Sequence, residues 1–143
     1  MTKLAEIESC LERQTAVIAD PLNEADRLLA LAEDVLEIWV EARAGIPTKD
    51  KKEGFRLLAL HRQGAKGEPS FNACRETCRE IAYRYNQATG VFGDGDPAHS
   101  VRMMQFLVQH LFLFISGKME EERLGEFCCS SRTMRLNSDV TSN

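Results

Sequence analysis

Helical periodicity with no alternating strand pattern predicts an all-α fold, a helical bundle of four main helices plus short accessory helices. Three observations carry that prediction. Apolar residues recur at three- and four-residue steps through most of the chain, the spacing that aligns side chains on one face of an α-helix. Asp-Pro occurs twice, at Asp20-Pro21 and Asp96-Pro97, each time ahead of an apolar-periodic run. There Asp accepts from freed N–H groups, and Pro fits the first helical position, where its missing donor costs nothing. Glycines punctuate the far ends of these runs, at Gly45, Gly64, Gly90 and Gly117.

The first segment spans residues 2–19, with Thr2 as a cap and Leu4, Ile7, Leu11 and Ile18 on one face. The second spans residues 21–44. Ala25, Leu28, Leu29, Ala32, Val35, Leu36 and Trp39 form its apolar stripe, and Gly45 and Pro47 end it. A shorter third segment covers residues 50–63, with Phe55, Leu57, Leu58 and Leu60 as its apolar content. The fourth opens at Ser70 and carries a seam of Phe71, Cys74, Cys78, Ile81 and Tyr85. The fifth, residues 97–116, is apolar most of the way round, which marks a helix central in a bundle or lying in an oligomer interface. Gly117 is expected to break it, ahead of a turn-helix over residues 119–128. The short connections at 20–21 and 45–49 favour antiparallel neighbours.

A chain of 143 residues fits one domain. At this size about 68–70% of the unfolded-chain surface can be buried, so no disulfide or metal staple is needed. The expected organisation is a single helical domain over residues 1–129 and a polar, loosely held tail over 130–143. Five cysteines, an odd number in a chain of this length, favour reduced thiols and a cytoplasmic setting. Charged residues from Lys3 onward leave no apolar core for a secretory signal. The longest apolar stretch, 101–115, is interrupted by Arg102, Gln105, Gln109 and His110 and falls short of a membrane span.

Net charge is −4, unevenly placed. Residues 1–44 hold ten acids against four bases, and residues 45–68 hold six bases against three acids. The basic run of Lys49, Lys51, Lys52, Arg56 and Lys66 could touch phosphates or an acidic protein face. The overall acidity and the lack of interleaved aromatics other than Phe55 disfavour nucleic acid as the partner.

Cys74 and Cys78 stand four apart, so neighbouring turns put both sulfurs on one side, where they could begin a thiol-based metal or redox site. Their seam positions between Phe71 and Ile81 equally suit small hydrophobes in a core. The vicinal pair Cys128-Cys129 strains against bridging itself. Asp94-Gly95-Asp96 could open a calcium loop, yet Gln105 stands where a bidentate Glu is required. Phosphate-loop, dinucleotide-binding and serine-hydrolase motifs are missing from the sequence, as are paired His and Glu ligands at helical spacing. The expected function is therefore a non-catalytic protein-interaction module without a cofactor, binding a protein partner or forming a homodimer. Its contacts are expected at Trp39, Tyr83, Phe106, Leu113 and Phe114, the amphipathic and apolar anchors that enrich interfaces. A thiol site at Cys74 and Cys78 stands second, and a nucleic-acid contact through residues 49–66 third.

Overall fold

A computed structural model of the chain describes residues 4–12, 20–90 and 96–122. Five α-helices form among them: α1 (Leu4–Glu12), α2 (Pro21–Ala42), α3 (Arg56–Gly64), α4 (Asn72–Ala88) and α5 (Pro97–Glu121). A single 3-10 turn, Pro69–Phe71, leads into α4. The architecture is all-α, and the described residues contain no strand beyond one isolated bridge between Lys52 and Phe55.

Both Asp-Pro starts form as their chemistry requires. The Asp20 carboxylate accepts from the Asn23 N–H at 3.2 Å, and the Asp96 carboxylate accepts from the Ala98 N–H at 3.0 Å. Caps of this kind stabilise a helix by about 1 kcal/mol each.

Direction follows from the cross-helix contacts. Phe71, entering α4, packs against Trp39 near the end of α2 and against Phe114 in the second half of α5. Near the end of α4, the Tyr85 hydroxyl donates to Asp26 at the start of α2, 2.7 Å away. Hence α4 runs antiparallel to α2 and α5, and those two share one direction. A hydrogen bond from Gln105 to Glu24, 3.4 Å, joins α2 and α5 near their starts. At their far ends Arg43 and Lys118 both bind Glu68, at 2.5 and 3.3 Å. Burial pushes the Glu68 carboxyl up, but the two cations outweigh it and hold the group below its usual range.

The third segment departs from the sequence expectation. Its helix begins at Arg56, because Lys52 and Phe55 exchange two 3.0 Å backbone hydrogen bonds around Glu53 and Gly54. Those residues sit at φ 55° and 86°, the left-handed pair that a tight hairpin turn demands. Nor does α3 turn back against α2. Residues 45–55 make the return, and α3 then advances from Glu33 and Glu37, which hold Arg56, to Trp39, which meets Gly64.

Gly117 does not end α5. The helix continues to Glu121, with Met119 buried and Lys118 paired to Glu68, Glu121 and Glu122. Tertiary packing and ion pairs at the next two residues outweigh the roughly 1 kcal/mol that glycine costs a helix interior. For segment one, the helix is described only to Glu12. The expected turn-helix beyond 122 and the tail lie outside the described residues, as do Cys128, Cys129, Asp94 and Gly95.

The core is continuous. Ile7, Leu28, Val35, Leu36, Trp39, Leu57, Leu60, Phe71, Cys78, Ile81, Val101, Met104, Val108, Leu111 and Ile115 have no solvent contact. Helix α5 lies across this core between α2 and α4, which explains why one of its faces is so rich in apolar residues.

Candidate functional site

Two places carry candidate chemistry: the outer face of α5, which the core leaves in solvent, and a thiol pair on α4 that lies within the core.

On α5, Val101, Met104, Val108, Leu111, Phe112, Ile115 and Met119 point inward and are buried. The opposite face keeps two large apolar side chains in solvent, Phe106 at 69% and Leu113 at 59% exposure. They stand seven residues apart, two turns, on one line about 10 Å long. Exposed Arg102 precedes them by a turn, Gln109 and His110 lie exposed between them, and Gly117 and Glu121 follow. A Cβ added at Gly117 would meet nothing within 4 Å. The face thus reads basic, apolar, polar, apolar, open and acidic from start to end.

The remaining expected anchors divide. Tyr83 is on the surface of α4, 45% exposed, with Arg84 over its ring at 5.5 Å and Gln87 donating to its hydroxyl at 3.1 Å. Phe114 is half-buried, edge-on to Phe71 at 5.5 Å. Trp39 belongs to the interior, a correction to its expected surface role. Its ring is fully enclosed, its Nε1–H donates to the Gly64 carbonyl at 3.0 Å, and Arg43 covers it at 5.2 Å. The cause is Gly64, which lets α3 approach so closely that an added Cβ would stand 2.9 Å from the indole. Ile46, 86% exposed, and Leu22, 53% exposed, escaped the sequence reading because they sit in a connection and a first helical turn, outside any apolar stripe.

Cys74 and Cys78 are both buried in the α4 seam. Beside them stands His61 of α3, also buried, its Nε2 3.1 Å from the Phe71 carbonyl oxygen. A hydrogen bond from the Cys78 thiol lowers the Cys74 thiol to about 6 against the opposing effect of burial, and His61 adds to the lowering. Cys78 moves the other way: donating to Cys74, and being buried, it holds its proton well above the ordinary range. The pair therefore splits into one easily ionised and one reluctant thiol. Sequence reasoning missed His61 as a member of this cluster. The available signal was its spacing of four after Leu57 and three before Gly64, which puts all three on one buried face of α3. Among the described residues no group of three or more His, Cys, Asp or Glu side chains is arranged to hold a metal ion.

In the basic segment, Arg56 is committed to Glu37 and Glu33 of α2 and donates to the Thr48 carbonyl oxygen at 2.8 Å. Lys49, Lys51 and Lys66 are exposed. No described helix is long and apolar enough to cross a membrane. No protein-family model, curated protein or solved structure matches the chain.

Proposed function

We propose that the chain is a non-catalytic protein-interaction module whose contact surface is the outer face of α5. The observation that carries this reading is the pair Phe106 and Leu113. Two large apolar side chains on one line of the helix surface keep apolar area in water, and contact with a partner removes that area from water at a gain in free energy. An interface needs a few such anchors within a polar rim; Arg102 and Glu121 stand outside the pair as parts of that rim, and Gln109 and His110 lie between the two anchors.

The test is a photo-crosslinker. With p-benzoylphenylalanine in place of Phe106, irradiation of cells expressing the full chain is expected to give a protein adduct. The same probe in place of exposed Arg62 on α3 is expected to give none. Equal labelling at both positions, or at neither, would remove the reading.

A second reading, a thiol-based redox site at Cys74 and Cys78, is favoured by one observation: His61 joins the pair and helps to make Cys74 acidic. It ranks below the first because both sulfurs are buried, while a reactive cysteine needs access as well as a thiolate.

A further inference from the structure

We infer that the partner of the α5 face is a second copy of the same chain, docked antiparallel about a two-fold axis that passes between residues 109 and 110. This rests on the interaction reading above and names its occupant. A two-fold contact requires a surface complementary to itself, so that each residue meets the residue reflected through the axis. The α5 face meets that condition along its length. Reflection about the 109–110 midpoint sets Phe106 opposite Leu113 of the other copy, twice, which covers both exposed apolar side chains. Arg102 falls opposite Gly117, where nothing stands within 4 Å of a would-be Cβ. A side chain the length of arginine can lie over that open turn.

Charge then selects the direction. Side chains on a helix lean toward its N-terminus. Arg102 therefore leans toward the level of residue 98, which in the antiparallel pair is the level of Glu121 in the other copy. Glu121 is exposed, with Lys118 of its own helix 3.8 Å from one carboxylate oxygen, and leans back to meet that arginine. The contact forms twice, once at each end of the pair. Antiparallel helices also set each positive N-terminal end beside a negative C-terminal end. A parallel pair would stack Arg102 on Arg102 and the acidic ends of the helices on each other, so it is disfavoured by like-charge repulsion. A single helix-on-helix contact is small beside the ~1,600 Å² of a standard interface, so the dimer is a weak, concentration-dependent one.

Sedimentation equilibrium of the full chain over a concentration series tests this. Wild type is expected to move from monomer to dimer, and Phe106→Ser with Leu113→Ser to remain monomeric. Arg102→Glu and Glu121→Arg are each expected to weaken the dimer by about tenfold, since each disturbs two symmetric ion pairs, and the double reversal to restore it. Circular dichroism of every variant checks that the fold is intact, as expected for exposed positions. A wild-type chain that stays monomeric at all concentrations would overturn the inference, and so would a dimer indifferent to Phe106→Ser. A dimer that the double reversal fails to rescue would overturn the antiparallel register. The mass of the Phe106 photo-adduct separates the two levels. Twice the chain mass supports the second copy. A different protein at that position removes the second copy but leaves the interaction reading, and no adduct removes both.

Discussion

Cys74 and Cys78 share a helix face, yet their surroundings drive their protons in opposite directions. Cys74, lowered from an ordinary 9.0 to about 6, behaves as an acid that ionises more easily on folding. Such a group stabilises the fold above its unfolded value and loses that contribution as pH falls through the folded value. Across the window from 9.0 down to about 6, Cys74 therefore makes the protein less stable as acid is added. Cys78 carries the opposite sign. Its raised value makes ionisation above 9.0 a cost, so stability falls again at high pH. The ultraviolet absorbance of the thiolate, taken as a difference between wild type and Cys74→Ala, is expected to show an ionisation near 6. Cys78→Ala removes the donor and should move that midpoint upward. A midpoint that stays in place would show that the Cys78 hydrogen bond is not its cause.

Among the elements, α5 departs most from what local rules dictate. A glycine inside a helix exposes backbone and surrenders more chain entropy than alanine, at a cost of about 0.5–1 kcal/mol. Gly117 occupies such a position with room for a Cβ. Gly117→Ala is therefore expected to stabilise the monomer by about 0.5–1 kcal/mol, seen as a higher melting temperature in dilute solution. A lowered melting temperature would mean that a neighbour fills the space beside residue 117. Gly64 is the counter-example. There alanine would press on Trp39 at 2.9 Å, so the same replacement disturbs the seat of the largest core side chain.

For the molecule as a whole, cohesion comes from laying α5 across the core between α2 and α4, with the Arg43–Glu68–Lys118 ion pairs closing one end. Leu111 is on the inner side of α5 and fully buried. Leu111→Asp would bury a carboxylate with no partner, a cost of several kcal/mol against a total stability of about 5–15 kcal/mol. The variant is expected to lose cooperative thermal unfolding by circular dichroism. A cooperative melt close to wild type would show that this face of α5 does not meet the core.

Local chemistry makes the helices legible in the sequence. Asp20-Pro21 and Asp96-Pro97 start helices because a carboxylate and a ring nitrogen satisfy the first turn from within a few residues. The Phe71–Cys74–Cys78–Ile81 seam is buried as its spacing implies. Signals of that range say which side of a helix is apolar, not what will cover it. Trp39 and Phe106 both read as anchors, and only the close approach of α3 at Gly64 encloses one while leaving the other in solvent. The hairpin turn at Glu53-Gly54 was illegible because Glu is not a usual left-handed residue, so the turn rests on its surroundings. The continuation of α5 past Gly117 and the meeting of His61 with Cys74 depend on partners far along the chain. Sequence alone thus determined the helices and their oily sides, because capping and periodicity act over a turn or two. The fold decided which of those sides stayed open, because burial depends on neighbours that only packing brings together.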